Sequence, residues 1–296
     1  MIAQIETSTF CNHKCWYCQN AHYKNPEPQV MSLELFEAIL KDISYVFPKT
    51  RLKTVSFAAY NEPTLDPFFK DRLRMLHQLG FAFWFITNGS RITSDLVDFL
   101  IQERPAITCF HINLPAIDPD EYHEATAAPA REINKIRDNL GYLFKNQGKI
   151  GSPMTIIVHG LGDGNHKKKF ARMKEFWKDS PIEVVFQGVM NRAGMLNNIA
   201  GPPIDHGTDE VWCFARYFEN LYVGISGNLY FCCHDYYQKF TFGSMMDERL
   251  EIILASKKRK TMLREFTHDF CRHCAFAVKF ADLTLHPQKF THHNNA

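Results

Sequence analysis

An α/β fold, with a parallel sheet curling around a site at the C-terminal ends of its strands, is what this 296-residue sequence predicts. The first ground is rhythm: six short apolar runs alternate with helix-patterned stretches across the first two-thirds of the chain. The second is composition, 45% hydrophobic and 22% charged, the profile of a folded soluble chain. The third is where the rhythm stops, at a glycine- and proline-bearing stretch from Asn191 to Thr208, beyond which only a smaller region follows. Periodicity alone leaves three forms of the sheet in play: open, a full eight-unit barrel, or an incomplete barrel.

Ile2 to Thr7 reads as the first strand, with a cysteine-bearing loop directly after it. Ser32 is the N-cap of a helix from Leu33 to Val46; Glu34 and Glu37 suit its positive end, and Phe47-Pro48 stops it. Thr54 to Phe57 is the second strand, followed by the loop Ala59-Tyr60-Asn61-Glu62-Pro63 and a helix from Pro67 to Leu79 that Gly80 terminates. Phe81 to Ile86 is a buried strand closed by Asn88-Gly89, then a helix covers Ser94 to Gln102. Ile107 to Leu114, Met154 to Val158 and Ile182 to Phe186 complete the strands, with helices at Arg131 to Phe144 and Lys168 to Lys178. Past the crossing loop, Asn220 to Val223 and Leu229 to Cys232 flank Gly227-Asn228 as a hairpin, and Asp247 to Arg264 is helical. This second region is too small to stand on its own core without a metal staple.

Bulk charge is close to balanced, 34 basic against 32 acidic residues, so no nucleic-acid partner is implied. The run Lys257-Lys258-Arg259-Lys260 reads as a solvated helix end, and His292-His293 as part of a loose tail. The N-terminal residues lack the charged and apolar regions of a secretory signal. The longest strongly apolar run, Phe81 to Ile86, is far short of a membrane span. A cytoplasmic location is therefore expected. There, nine cysteines, an odd number, point to metal or redox use rather than disulfides.

Cys11-Asn12-His13-Lys14-Cys15-Trp16-Tyr17-Cys18 lets one short loop wrap three thiolates around three corners of a cubane cluster. The fourth iron is left open to a small molecule. Zinc is the competing metal, with His13 or His22 as a fourth ligand. The spacing, with the aromatic Tyr17 before the third cysteine, resembles the radical S-adenosylmethionine (SAM) superfamily. That resemblance implies a partial (β/α)6 TIM-like barrel over residues 1–195. It also implies SAM bound to a [4Fe-4S] cluster through its amino and carboxylate groups, and a 5′-deoxyadenosyl radical released on one-electron reduction. Tyr17 would then lie near the adenine.

Tyr60-Asn61-Glu62-Pro63 resembles the family's Gly-Gly-Glu-Pro segment, with both glycines replaced. By that likeness Glu62, and Asn61 beside it, would contact the SAM ammonium, which a carboxylate suits. Thr87, in Thr87-Asn88-Gly89, and Asn113 stand where the family places further SAM contacts, and Met190, with Val189, would border the adenine. His111 and Cys109 share the strand face of Asn113 but equally suit a core.

Cys213, Cys232, Cys271 and Cys274 resemble the shortened "twitch" form of the SPASM auxiliary-cluster domain, here a small α+β unit over 213–283 after a linker at 196–212. Residues 284–296 would form the tail. Four thiolates imply one closed auxiliary [4Fe-4S] cluster suited to electron transfer, with structural zinc as the rival. Cys233 replaces the aspartate that serves as base in peptide-modifying relatives. It is a candidate hydrogen-atom donor in an epimerase, while Asp235 or Tyr236 would manage the proton in an oxidation.

The expected activity is hydrogen abstraction from an unactivated C–H and oxidation of a small polar metabolite such as a sugar or cyclitol, since the chain starts almost at its first strand. A peptide maturase is the alternative. Arg192 is a candidate partner for a substrate carboxylate. A flavodoxin or ferredoxin is the expected electron donor.

Overall fold

Apolar residues at every second position turn one face of each predicted strand toward the helices, and the sheet follows from that. The computed structural model describes residues 2–23, 27–47, 54–207, 209, 211–213, 219–264 and 269–279. The strands β1 (Ile2–Ile5), β2 (Thr54–Ser56), β3 (Ala82–Thr87), β4 (Ile107–Asn113), β5 (Met154–Gly160) and β6 (Glu183–Gly188) lie side by side in chain order. All five pairings among them are parallel. Helices α1 (Leu33–Val46), α2 (Phe69–Gln78), α3 (Ser94–Glu103), α4 (Pro119–Thr126), α5 (Glu132–Lys145), α6 (Gln147–Ile150) and α7 (Gly164–Phe176) fill the crossovers. This is the mostly parallel α/β sheet of a partial TIM-like barrel.

Alternation decides what faces the site. Phe83, Phe85, Phe110 and Ile112 are buried, and the rings of Phe57, Phe69, Phe83 and Phe85 form one cluster of tilted and edge-on contacts between sheet and helices. Their neighbours Trp84, Ile86, His111, Asn113 and His159 project from the opposite, concave face and are partly exposed. Arg72 of α2 is fully buried, its Nε 2.8 Å from Asp66 Oδ2 and its guanidinium 4.8 Å from the Phe36 ring. It also donates to the Met31 carbonyl. That cation staples the start of α1 to α2.

Beyond β6 come α8 (Asn197–Ala200), β7 (Val211–Cys213), β8 (Leu221–Val223), β9 (Asn228–Tyr230), β10 (Thr241–Ser244), α9 (Leu250–Ala255), α10 (Lys257–Arg264), α11 (Asp269–Arg272) and β11 (Ala277–Lys279). The expected hairpin forms as β8 and β9 around Gly227, whose φ of 82° suits glycine. β8 pairs parallel with β1, so among the described residues the hairpin and β10 extend the barrel sheet to nine strands. β7 pairs antiparallel with β11, setting Cys213 opposite Ala277.

Several boundaries differ from expectation. α4 was not foreseen, although Asp118 caps it, accepting from the Asp120 and Glu121 amides, and Pro119 occupies its first position. α7 begins at Gly164 because Asp163 caps it there, ahead of the predicted Lys168. The helix expected over Asp247 to Arg264 breaks at Ser256, whose ψ of 149° is extended. Phe242-Gly243-Ser244 lies within β10, where a Cβ on Gly243 would sit 2.4 Å from Ile253 Cγ2. The predicted tail, residues 284–296, lies outside the described residues, as do Thr208 and the 280–283 end of the auxiliary region. Among the described residues no helix is long and apolar enough to cross a membrane.

Candidate functional site

The loop after β1 cannot wander, because backbone hydrogen bonds fix it. Lys14 N and Trp16 N donate to the carbonyls of Thr126 and Ala125 at the end of α4, at 2.7 and 3.1 Å. Asn12 is gripped by the turn after β3: its Nδ2 donates to Ser90 Oγ at 3.0 Å and its Oδ1 accepts from Asn88 Nδ2 at 2.9 Å. Cys11, Cys15 and Cys18 thereby line one cavity at the C-terminal ends of the strands. Burial pushes Cys11 and Cys15 up to about 12 and raises Cys18, with the neighbouring thiolates adding to the rise for the first two. Thiols so held lose their protons when a cation takes them, so metal loading here releases protons.

The same cavity gathers Tyr17, Asn61, Glu62, Thr87, Asn113 and Met190, every SAM-contact candidate from the sequence, together with Val189 and Arg192. Glu62 is 1% exposed. Its Oε1 accepts from Thr64 N (3.1 Å), Thr64 Oγ1 (2.6 Å) and Thr87 Oγ1 (2.7 Å), and its Oε2 from Asn88 N (2.6 Å). The carboxylate therefore ties the loop after β2 to the turn after β3. Burial raises its pKa, and these four donors partly offset that.

The two residues standing where glycines were expected have their own work. Asn61 Oδ1 closes a turn onto Ala59 N at 2.8 Å, and its Nδ2 reaches Ser8 Oγ at 3.3 Å. Tyr60 donates its hydroxyl to the Cys233 carbonyl and packs its ring 4.7 Å from that of Tyr236. Tyr60 thus joins the barrel to the C-terminal region.

His159, missed in the sequence because the predicted strand ends at Val158, two residues before β5 does, stacks on Tyr17 with centroids 4.7 Å apart. Its Nε2 lies 3.2 Å from Asn113 Oδ1. Burial, with the charge of Arg192, pushes its pKa down to about 3, so the ring is neutral. A neutral ring that donates to Oδ1 leaves the Asn113 amide nitrogen as the donor available to a ligand. Asn20, also unforeseen, lines the cavity, accepts from Tyr236 Oη at 3.0 Å and donates to the Tyr60 carbonyl.

The histidines weighed as zinc ligands are engaged elsewhere. His13 Nε2 is 3.0 Å from Tyr122 Oη, and burial lowers its pKa to about 4; His22 Nε2 meets the Trp16 carbonyl. Three soft thiols beside a cavity lined by a carboxylate, an amide and an aromatic ring fit an iron–sulfur cluster with a coordinated organic ligand.

Cys213, Cys232, Cys271 and Cys274 do not line this cavity. They lie near one another, close enough that the charge of Cys213 bears on the other three. Burial raises Cys271 to about 12 and Cys274 to about 11. His234, which the sequence reading passed over, is buried there with Nδ1 3.7 Å from Cys274 Sγ. An all-thiolate set of four suits a closed cluster.

Cys233 lies beside Cys232 and Tyr222, and the Cys232 contact holds it below the ordinary thiol range against the effect of burial. Asp235 accepts from the backbone N–H groups of Lys239 (3.0 Å) and Phe240 (2.8 Å), which orders the turn before β10. Neither lines the cavity; Tyr236 reaches two residues that do, Asn20 through its hydroxyl and Tyr60 through its ring. Cys109 Sγ lies 3.2 Å from His111 Nε2 on the concave face.

Comparisons with known proteins bear on this arrangement. The model of the radical SAM superfamily matches residues 5–176, and that of an iron–sulfur cluster-binding domain, SPASM, matches residues 213–275. The crystal structure of BtrN in complex with AdoMet and 2-DOIA superposes with a TM-score of 0.59 at 19% identity, over 93% of this chain and 92% of that one. Streptococcus suis SuiB bound to precursor peptide SuiA gives 0.65 at 14% identity, over 92% of this chain and 70% of that one. At such identities the likeness is one of fold. The tungsten-containing aldehyde ferredoxin oxidoreductase cofactor-modifying protein of Pyrococcus furiosus is 34% identical over 98 residues, 33% of this chain and 26% of its own length. The first family model covers more than half of the sequence, and the three-cysteine loop sits where that family builds its site. The chain belongs to the radical SAM superfamily, with SAM, a SAM-binding [4Fe-4S] cluster and an auxiliary [4Fe-4S] cluster as its cofactors.

Proposed function

We propose that the chain oxidises a small polar metabolite, such as a sugar or cyclitol, by removing hydrogen from an unactivated carbon. The observation that carries this reading is the single cavity in which Cys11, Cys15, Cys18, Tyr17, Glu62, Thr87, Asn113 and Met190 converge, with Tyr60 in its lining hydrogen-bonded to Cys233, next to the second cysteine set. When loaded, the two cysteine sites supply one-electron cleavage of SAM to a hydrogen-abstracting radical and an acceptor for the electron left on the substrate.

Each cavity residue has a part in holding SAM. Glu62 Oε2, with one hydrogen bond from Asn88 N, offers its remaining lone pair to the ammonium. Asn113, its carbonyl engaged by His159, offers its amide to a ribose or carboxylate oxygen. Tyr17, braced by His159, presents an aromatic face to the adenine, and Met190 borders it. Tyr236, whose hydroxyl bonds to the cavity residue Asn20 and whose ring packs on Tyr60, is the candidate for managing the substrate proton, the Asp235 carboxylate being held by the Lys239 and Phe240 amides. A flavodoxin or ferredoxin supplies the priming electron.

Support for a small substrate over a peptide comes from BtrN, whose bound 2-DOIA is a small molecule and whose fold this chain matches along 92% of that protein. The test is to incubate the reduced, SAM-supplied protein in deuterated water with candidate metabolites and precursor peptides. Deoxyadenosine, substrate mass and deuterium content are read together. A metabolite that loses a hydrogen pair without taking up deuterium supports oxidation. Deuterium uptake at constant oxidation level would replace it with epimerisation, and a modified peptide would move the substrate class.

A further inference from the structure

The segment after β6 is an unusual stretch of backbone. Arg192, Ala193 and Gly194 follow one another in the left-handed region, with φ of 49°, 54° and 88°. Two consecutive non-glycine residues there are strained, and such a run persists only where its surroundings over-determine it. The surroundings are specific. Asn191, 4% exposed, donates from Nδ2 to the His273 carbonyl at 2.6 Å and to Asn197 Oδ1 at 3.0 Å, and accepts at Oδ1 from Ala275 N at 2.9 Å. One amide thus grips the backbone on both sides of Cys274. Gly194 lies so close to the same turn that a Cβ on it would fall 2.7 Å from His273 Cβ.

The other end of the segment reaches the barrel. Arg192 lines the cavity with Cys18 and Glu62. Its positive charge bears on Cys18 and His159 on one side and on Cys233 and His234 on the other. Tyr23, just past the three-cysteine loop, donates to the Met195 carbonyl at 2.6 Å.

We propose that Asn191 is a positioning residue that fastens the Arg192 loop to the Cys271–Cys274 turn, so that SAM affinity at the cavity depends on whether that turn holds its cluster. The linkage rests on the reading of the cavity as the SAM site. A turn that closes around metal sets the His273 carbonyl and the Ala275 amide at the spacing Asn191 requires. A turn that opens releases the strained loop and withdraws Arg192 from the cavity. Coupling of this kind changes affinity by roughly 5- to 150-fold.

The experiment titrates SAM into the full-length, anaerobically reconstituted and reduced protein and follows the N-terminal cluster by low-temperature EPR, independently of turnover. Wild type, Asn191→Ala, Cys274→Ser and the double variant form a cycle; iron content and circular dichroism check folding. The expected result is about a tenfold weaker SAM affinity for N191A and for C274S, with the double variant no weaker than C274S within about twofold. Affinities within about twofold of wild type for N191A, or losses that multiply in the double variant, overturn the proposal. Should N191A or C274S fail to fold, Asn191→Asp decides alone. It keeps the shape and the bond from Ala275 N but sets an oxygen against the His273 carbonyl, and unchanged SAM affinity in it overturns the linkage. A wild type that does not respond to SAM at all would instead remove the reading of the cavity.

Discussion

Replacing Glu62 by Gln separates two roles that the same carboxylate holds. Its structural role is visible: four hydrogen bonds from Thr64, Thr87 and Asn88. A glutamine that keeps its carbonyl toward the two threonines retains three of them and loses the one from Asn88 N, setting donor against donor. Loss of one hydrogen bond to a charged acceptor costs about 1.5–3 kcal/mol. Against that, burial already raises the pKa of this group, so removing the charge recovers part of its desolvation cost. The two nearly offset, and the net loss of folding stability is about 1 kcal/mol. SAM binding has no such compensation. An ammonium about 4 Å from the carboxylate gains up to about 4 kcal/mol at an effective dielectric constant near 20. Even half of that corresponds to roughly 30-fold in affinity. Equilibrium SAM binding and denaturant unfolding of E62Q should therefore diverge, with little stability lost and much affinity. A variant that is clearly destabilised yet binds SAM as wild type does would show Glu62 to be a loop clamp only.

Other outcomes follow from the same geometry. His159 falls from 6.5 to about 3 on folding, through burial first and the Arg192 charge second. The unfolded chain therefore binds more protons below pH 6.5, and stability drops as pH falls from there toward 3, by about 1.4 kcal/mol per unit at most. Denaturant midpoints at pH 7.5 and 5.5 should differ less in His159→Phe than in wild type, and an equal difference would contradict the assignment. Arg72→Met leaves the Asp66 carboxylate buried without its cation and should cost about 3–5 kcal/mol in urea unfolding. A cost below about 1 kcal/mol would mean that the pair is not closed off from water. Cys233→Ala should leave the oxidised product and its rate unchanged by mass spectrometry, since removal of a hydrogen pair needs no hydrogen-atom donor; an isomeric product carrying solvent deuterium in wild type and lost in the variant would instead make Cys233 the hydrogen donor.

The chemistry-bearing loops were legible because each combines a short-range spacing with a strand end. Cys11 to Cys18, Glu62-Pro63 and Thr87-Asn88-Gly89 all close apolar runs, and parallel strands bring their C-terminal ends together. Asn113 was legible through the family resemblance, at the end of its strand, whereas His159 was lost to a strand boundary drawn two residues short. α4 escaped because its eight residues, PDEYHEAT, bury only Tyr122, Ala125 and Thr126, too few for a helical period to show. The edge pairing of β8 with β1 is a contact across more than two hundred residues, which no local pattern encodes. The same holds for Tyr60: its meeting with Cys233 explains the departure from the family's glycines, yet depends on the return of the chain to the barrel rim.

The central claim is that Cys11, Cys15 and Cys18 hold a cluster with one position left to SAM. It is tested most directly by the low-temperature EPR spectrum of the reduced protein with and without SAM, in wild type and in a variant with these three cysteines changed to alanine. The account predicts that SAM alters the wild-type spectrum, and that the variant retains only a C-terminal cluster signal that SAM does not move. A wild-type spectrum indifferent to SAM, or a variant whose remaining signal still responds to it, would contradict the account.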